Sequence, residues 1–377
     1  MKTEHPIYLD YNATTPVDPV VFEAMSPWFQ RSFGNASSTH FWGRHAANAI
    51  EESRERVAAS LGTSPPSVFF TSGATEANNL ALRGMEGHIA VVSTEHKSVL
   101  ETSARLNGSV IQVDRKGNVD LTSLDRESKR AALVSVMLAN NETGVVQDLE
   151  AIIEIAHRHG CLVHTDATQA FGKIAFNLFD LDVDMASISG HKIYGPQGVG
   201  ALIVKRGVSI SPQMTGGGHE RGLRSGTLNV PGIVGFGAAT TTIDSERDSA
   251  HSRSLLDSLV GKLGNAMPFE IYSNHQLGLA NTLSIRFAGT DAEAVIANAP
   301  DIAISTGSAC TAAVPQASHV LEAMGISTQA AFETLRISVG RQTTHEEISF
   351  AAMLLSQAVQ TVRNFAIEPL HIRDDLQ

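Results

Sequence analysis

The stretch Met185-Ala186-Ser187-Ile188-Ser189-Gly190-His191-Lys192 joins a short apolar run to a turn that ends on a lysine. The run predicts a buried strand over 185–189, and Gly190 favours a turn at its end. A second apolar run covers 200–204, after a segment that contains glycine and proline. Lys192 therefore lies between two predicted core strands, where its charge need not be solvated.

Outward from this point, strand-like and helix-like segments alternate along the chain. The alternation predicts an α/β fold in which helices cover both faces of a mostly parallel, mixed sheet. Ligands bind beyond the carboxyl ends of the strands in such sheets, and Thr75, Asp166 and Lys192 all follow predicted strands. The further strands are predicted at 68–71, 89–92, 132–137 and 161–165, and the helices at 46–61, 75–85 and 149–159.

The pattern changes after about residue 245, where helices mix with shorter strands. We predict a large cofactor-binding domain over residues 15–245 and a smaller α/β domain over 246–377, completed by residues 1–14. The helices of the smaller domain are predicted at 254–263, 290–297, 317–324 and 345–362, and its strands at 281–286 and 335–339.

Composition and charge exclude several classes of protein. The 377 residues carry a formal net charge of −11, which argues against direct nucleic-acid binding because the phosphate backbone is bound through a basic surface. The N-terminus lacks the apolar run of a signal peptide. The longest uncharged stretch, 225–243, is rich in Gly, Ala and Thr and is a poor membrane span. Two cysteines do not make a disulfide scaffold. We expect a cytoplasmic protein with no membrane contact.

Three segments after predicted strands offer groups that could hold a cofactor. Gly73-Ala74-Thr75-Glu76 opens a helix whose backbone N–H groups could bind a phosphate, although the same residues fit a plain helix cap. Asp166 could pair with a protonated ring nitrogen, or it could cap the next turn. His96 is flat enough to stack on a ring, but a lone histidine more often lies in the surface or core.

Two further positions could carry substrate chemistry. Arg336 lies inside the strand-like run 335–339, where a buried arginine could bind a carboxylate substrate or form a structural salt bridge. Cys310 lies in Gly307-Ser308-Ala309-Cys310-Thr311, a loop of small residues that favours exposure, whereas Cys161 begins a predicted core strand. A lysine can form a Schiff base with a carbonyl cofactor and a thiolate is a strong nucleophile. Lys192 and Cys310 together suggest pyridoxal phosphate (PLP) chemistry that ends on sulfur.

These segments together resemble one family, the cysteine desulfurases of the IscS/NifS group, within class V of the fold-type I PLP enzymes. The resemblance runs over nearly the whole chain, from Tyr8-Leu9-Asp10-Tyr11-Asn12-Ala13-Thr14-Thr15-Pro16 to Arg336-Ile337-Ser338-Val339-Gly340-Arg341. It includes Phe33-Gly34-Asn35-Ala36-Ser37-Ser38, Thr71-Ser72-Gly73-Ala74-Thr75-Glu76, Glu95-His96, Asn140-Asn141-Glu142-Thr143-Gly144, His164-Thr165-Asp166-Ala167-Thr168-Gln169, Ser189-Gly190-His191-Lys192, His219-Glu220-Arg221-Gly222, Arg224-Ser225-Gly226-Thr227 and the Cys310 segment.

The resemblance implies a role in cofactor binding for several positions. Lys192 would hold PLP covalently and act as an acid and base, and Asp166 would pair with the pyridine nitrogen. Gln169 would hydrogen-bond the ring oxygen, and His96 would stack on the ring and take part in proton transfer. The phosphate would be bound by Ala74, Thr75, Ser189, His191 and, in a homodimer, Thr227 of the partner subunit.

The resemblance also implies the reaction and its partners. Asn141, which would also contact the cofactor, and Arg336 would hold the carboxylate of L-cysteine. Cys310 would attack the sulfur, leaving alanine and a persulfide that passes to an acceptor protein. The expected roles are iron–sulfur cluster assembly, tRNA or DNA thiolation, or another sulfur transfer, with no metal in the site.

The compact Cys310 segment is similar to the IscS/NifS group rather than to the SufS-like group. The chain after Arg341 is shorter than in typical housekeeping members, which leaves docking to an iron–sulfur scaffold protein open. Two alternatives to a desulfurase remain from the residues, namely a class V aminotransferase or lyase in which Cys310 is incidental, and a sulfur-relay scaffold with little turnover.

Overall fold

The computed structural model describes residues 6–273, 277–307 and 316–367. The strands found there are β1 (Ile7–Tyr8), β2 (Val68–Thr71), β3 (Ile89–Val92), β4 (Ser109–Ile111), β5 (Leu133–Met137), β6 (Leu162–Asp166), β7 (Met185–Ser189), β8 (Gly200–Val204), β9 (Glu270–Ile271), β10 (Thr282–Arg286), β11 (Ile302–Ala303), β12 (Ser305–Thr306) and β13 (Thr334–Ser338).

Helices separate and follow these strands. They are α1 (Pro19–Met25), α2 (Pro27–Gln30), α3 (Phe41–Ser60), α4 (Ala74–Gly84), α5 (Lys97–Arg105), α6 (Leu121–Ser128), α7 (Leu149–Arg158), α8 (Leu178–Leu181), α9 (Val230–Thr240), α10 (Ser245–Gly264), α11 (Ala292–Ala297), α12 (His319–Ala323), α13 (Thr328–Phe332) and α14 (His345–Ile367).

The largest sheet has seven strands in the order β2-β8-β7-β6-β5-β3-β4. Strands β3 to β7 run parallel, while β8 is antiparallel to both of its neighbours. The predicted α/β class with a mostly parallel mixed sheet is therefore confirmed. The register pairs Asp166 with Met137 on one side and with Ser187 on the other, so the carboxyl ends of β5, β6 and β7 meet at one edge.

Both faces of this sheet are buried. Successive side chains along a strand pack alternately into two hydrophobic clusters. Along β3, Ala90 and Val92 pack into one cluster, while Ile89 and Val91 pack into the other. A period of two is what a strand requires when helices cover both of its faces. The helix α9, which lies within the long uncharged stretch 225–243, is one of these covering helices, and its Phe236 is fully buried. Among the described residues no helix is both long and apolar enough to cross a membrane.

A separate hydrophobic cluster lies in the second half of the chain. A four-stranded antiparallel sheet, β12-β13-β10-β9, packs with α10, α11 and α14. Ile7 and Leu9 join this cluster, and β1 pairs in parallel with β11. The proposed division at residue 245 and the completion of the smaller domain by residues 1–14 stay predictions.

The N-terminal segment runs between the two parts of the chain and positions the site. Asn12 N donates to Ser338 Oγ at the end of β13, while Thr15 N donates to the carbonyl of His191. Residues 10–15 therefore form a wall between β13 and the turn that carries Lys192.

Candidate active site

A cavity of about 460 Å³ lies at the carboxyl edge of the large sheet, where β5, β6 and β7 end. Its volume is within the range of cofactor and small-molecule sites. Ten residues that the sequence predicted for the site line it, namely Ala74, Thr75, His96, Asn141, Asp166, Gln169, Ser189, His191, Lys192 and Arg336.

The helix α4 presents its N-terminus to this cavity. Gly73 precedes the helix with φ of +151°, a conformation that favours glycine, and no side chain caps the helix. The first-turn N–H groups together with Thr75 and Ser189 form a cradle suited to a phosphate.

His191 borders this cradle. Its Nδ1 lies 3.1 Å from Thr14 Oγ1. Burial, with the nearby Lys192 and Lys173, lowers the pKa of His191 to about 4. The ring is therefore neutral at neutral pH and can donate one hydrogen bond without a charge.

Asp166 is the last residue of β6, one position further into the strand than the sequence indicated. Its Oδ2 accepts a hydrogen bond from Asn78 Nδ2 at 2.8 Å, and its Oδ1 accepts one from Thr168 N at 3.0 Å. The carboxylate is 5 % exposed and fixed at the cavity wall. A carboxylate held at this point could pair with a protonated pyridine nitrogen. Sequence reasoning missed Asn78, whose signal is only its place on the inner face of α4.

His96 is the N-cap of α5 and lines the cavity. Its Nδ1 accepts the N–H of Ser98 at 3.1 Å, so the neutral ring carries its proton on Nε2. Burial lowers the pKa of His96, and the charges of Lys192 and Lys97 act in the same direction, while Asp166 opposes them. A neutral imidazole can stack on a ring, and its Nε2–H can donate a proton or a hydrogen bond to a group in the cavity.

Lys192 ends the turn after β7. Its Nζ donates to the carbonyl oxygens of Asn12 and Ala13 at 2.5 and 2.7 Å. Gln169 Nε2 donates to the same Asn12 carbonyl at 2.9 Å. Asn12 thus joins the two residues that the sequence assigned to the cofactor, although sequence reasoning gave Asn12 itself no role. Its signal was its place in the N-terminal segment of the resemblance.

Arg336 projects from β13 and is held by two partners. One terminal nitrogen donates to Asp10 Oδ1 at 2.6 Å, and the other donates to the carbonyl oxygen of Asn141 at 3.3 Å. Within the described part of the chain, the buried Nε has no partner. The salt bridge and the cavity position therefore occur together, and Asp10 is a second residue that sequence reasoning missed.

Thr227 and Cys310 complete the set of predicted site residues. Thr227 is exposed and does not line the cavity; its assignment to the site of a partner subunit stays a prediction. Cys310 lies outside the described residues. The other cysteine, Cys161, is buried and donates to the carbonyl of Ser128.

Glu142 contacts the described residues on both sides of the Cys310 segment. Ser318 Oγ donates to Glu142 Oε2 at 2.5 Å, and a Cβ on Gly307 would collide with the same carboxylate oxygen. Burial raises the pKa of Glu142. Glu142 directly follows Asn141, which lines the cavity. The residues that Glu142 contacts on the two sides of the Cys310 segment therefore lie beside the cavity wall.

His157 and His159 lie two positions apart, and each contacts a carboxylate. His157 Nε2 lies 2.8 Å from Asp184, and His159 Nε2 lies 2.8 Å from Asp125. Over residues 6–273, 277–307 and 316–367, no group of three or more metal-ligating side chains is found.

The fold and the cavity are those of a class V, PLP-dependent enzyme. The chain belongs to the aminotransferase class-V family, which matches residues 7–350. The cysteine desulfurase IscS of Rickettsia felis is 42% identical over 381 residues, which cover 96% of this chain and 93% of that protein.

Solved structures agree with this assignment. A NifS-like protein superposes with a TM-score of 0.89 at 37% identity, covering 94% of this chain and 100% of that one. A structure described as SspA in complex with cysteine superposes with a TM-score of 0.80 at 36% identity, covering 90% and 100%. The resemblance to the cysteine desulfurases of the IscS/NifS group, and with it the PLP cofactor, is confirmed.

Proposed function

We propose that the protein is a PLP-dependent cysteine desulfurase that converts L-cysteine to L-alanine and passes the sulfur, as a persulfide on Cys310, to an acceptor protein. The observation that carries the proposal is one cavity in which Lys192, Asp166 and Arg336 face the same space. They supply an amine, a carboxylate and a fixed cation, which are the groups that an amino acid and PLP require.

The residues around the cavity fit PLP. The N-terminus of α4 has no side-chain cap and would take the phosphate, and Asp166 would take the ring nitrogen. Thr168 also lines the cavity, and its buried Oγ1 has no partner within the described part of the chain. When bound, PLP withdraws electrons from the substrate and can accept the electron pair of the breaking C–S bond.

The side chains of the chain then bind, orient and move protons. Arg336 would fix the substrate carboxylate, with Asn141 beside it. Lys192 Nζ and His96 Nε2 would transfer protons at the substrate carbon and at the sulfur. The Cys310 thiolate would form the new S–S bond as the C–S bond breaks, and a proton added to carbon completes alanine, so atoms and electrons balance.

We also propose that the enzyme acts as a homodimer in the cytoplasm. Exposed aromatic side chains concentrate near the N-terminal helices α1, α2 and α3, where they offer an apolar surface to a second copy. Thr227 is exposed, as a residue that completes the site of a partner would be. The exposed aromatic residues of this region are Phe22, Phe29, Phe33, Phe41 and Trp42.

Substitution of each cysteine tests the reaction. Cys310→Ser should bind PLP and cysteine but release no sulfide and carry no persulfide, because a hydroxyl cannot hold the transferred sulfur as a persulfide. Cys161→Ser is the matched control and should keep most of its activity, with a modest loss of stability from a polar group in the core. Sulfide and alanine are measured for both. Normal turnover by Cys310→Ser would overturn the desulfurase mechanism and favour an aminotransferase or lyase.

Substitution of the lysine tests the cofactor link. Lys192→Ala should lose the PLP that borohydride fixes to the wild-type protein. PLP fixed to another lysine in this variant would show that the assignment of Lys192 is wrong.

A further inference from the structure

A second amine lies behind the cavity wall, one turn of chain beyond Gln169. Lys173 Nζ donates to Gln169 Oε1 at 2.5 Å and to Asn12 Oδ1 at 2.8 Å. Across the described residues, no carboxylate forms an ion pair with Lys173. The partners of this amine are therefore two side-chain amide oxygens. One belongs to Asn12, whose backbone carbonyl accepts from Lys192, and the other belongs to Gln169, which donates to that same carbonyl.

The direction of each amide is fixed by an acceptor that cannot donate. Gln169 Nε2 donates to the carbonyl oxygen of Asn12, so Oε1 must be the atom that faces Lys173. Asn12 Nδ2 donates to the carbonyl oxygen of Asn141 at 3.1 Å, so Oδ1 must face Lys173 as well. Gln169 Oε1 therefore requires a donor at the position of Lys173, because a buried acceptor without a donor is destabilising. Asn12 Oδ1 accepts a further hydrogen bond from Asn281 Nδ2 at 3.0 Å, so Lys173 is one of its two donors.

We propose that Lys173 is a positioning residue, which donates to both amide oxygens and thereby holds the Gln169 N–H₂ group toward the cavity as a donor to the PLP ring oxygen. The proposal rests on the proposed function, which places PLP in this cavity. Lys173 acts through Gln169 and Asn12, because it lies behind these two residues.

The role proposed for Lys173 requires N–H donors and does not require a charge. Burial lowers its pKa well below that of an ordinary lysine, and the nearby charges of Lys192 and Arg336 lower it further. A neutral amine still has two N–H groups, one for each amide oxygen.

Other titratable groups lie close to the two lysines. A small cavity of about 30 Å³ is lined by both Lys173 and Lys192, and it brings together the groups that must be considered in any pH titration. Besides Arg336 and His191, these are Tyr11, Tyr194 and the ion pair of Asp248 with Arg341.

The test is the pH titration of the absorbance of the PLP-loaded protein, without cysteine. A hydrogen bond from Gln169 stabilises the ring oxygen as an anion, so its loss raises the affinity of the cofactor for a proton. Lys173→Met should shift the midpoint toward alkaline pH by about one unit. Gln169→Met should shift it by a similar amount. The double variant should shift no further than either single one, because both remove the same interaction.

Lys262→Met, in an exposed position on α10, is the matched control and should titrate as wild type. A wild-type midpoint for Lys173→Met, with only a lower thermal unfolding temperature, would reduce Lys173 to a structural role and overturn the proposal. Shifts that add fully in the double variant would also overturn it. If Lys173→Met does not fold, Gln169→Met still decides, since a wild-type midpoint there removes the proposed donor.

Failure of the proposed function gives a different result. A protein that titrates as described but forms no alanine or sulfide from cysteine would refute the desulfurase and leave the role of Lys173 intact. A wild-type protein without any PLP absorbance would overturn both.

Discussion

Replacing Arg336 should separate substrates that carry a carboxylate from those that do not. Arg336 is 4 % exposed and lines the cavity, with one nitrogen on Asp10 and one on the carbonyl of Asn141. A substrate carboxylate would face the donors that these partners leave. Arg336→Met removes those donors and keeps a side chain of moderate length.

The size of the effect follows from the kind of hydrogen bond that is lost. A hydrogen bond to a charged group contributes about 1.5–3 kcal/mol, and about 1.4 kcal/mol corresponds to a factor of ten. The apparent affinity for L-cysteine should therefore fall by roughly 10- to 150-fold. Cysteamine has the same thiol and amine but no carboxylate, so its affinity should change little.

The assay is a titration of PLP absorbance with each compound, with sulfide release measured in parallel. Arg286→Met is the matched control, because Arg286 lies on the neighbouring strand, pairs with Glu333 and does not line the cavity. It should leave both affinities unchanged. If Arg336→Met weakens cysteine and cysteamine equally, Arg336 does not bind the carboxylate and its pairing with Asp10 is purely structural.

The remaining predictions concern stability, charge and assembly. Burial lowers the pKa of His164 and of His191 to about 4, whereas the pKa of an unfolded histidine is ~6.5. Between these two values the unfolded state binds more protons than the folded state, so the urea midpoint should fall as the pH drops through that window. The fall should be less steep for His164→Gln. Arg54→Met should lower the free energy of unfolding by about 3–5 kcal/mol, because it leaves the buried Glu220 carboxylate without its two Arg54 hydrogen bonds. Adding Glu220→Gln to this variant should restore part of the loss, and an equal loss in the single and the double variant would contradict this reasoning. Sedimentation should show a dimer, and a fully active monomer would refute it.

The strands of the large sheet could be predicted from the sequence because they are buried on both faces. The predicted bounds 68–71, 89–92, 185–189 and 200–204 match β2, β3, β7 and β8. Short apolar runs between turn residues indicate strands there, because a helix would need a longer run. Helix bounds were less accurate: α3 begins at Phe41 rather than Ala46, since its first turn is exposed and carries little periodic signal.

The antiparallel direction of β8 could not be read from the sequence. Its apolar run is the same whichever way the strand points, and only the pairing with β7 and β2 reveals the direction. The segment around His219 follows three consecutive glycines, a composition typical of a turn, yet Glu220 within it is buried against Arg54. The two partners are 166 positions apart, so no local pattern could have joined them.

The residues of the candidate site also fall into two groups, those that the local sequence predicts and those that only distant contacts reveal. Lys192, Asp166 and Thr75 could be placed at one edge because each follows a strand of the same sheet. Asn12, Asp10 and Lys173 could not, because their importance comes from contacts with distant segments or from the orientation of an amide.

The long reach of the N-terminal segment has a consequence for when the cavity can form during synthesis. The hydrogen bonds from Asn12 to Ser338 and from Arg336 to Asp10 each join residues that are 326 positions apart. Contacts of such separation form late, because a long loop must close before they stabilise anything. One wall of the site is thus made by residues that are synthesised 326 positions before the residues of β13 that they contact. A chain whose synthesis has not passed β13 cannot hold PLP in this geometry, so loading with the cofactor follows the folding of β13 onto the N-terminal segment.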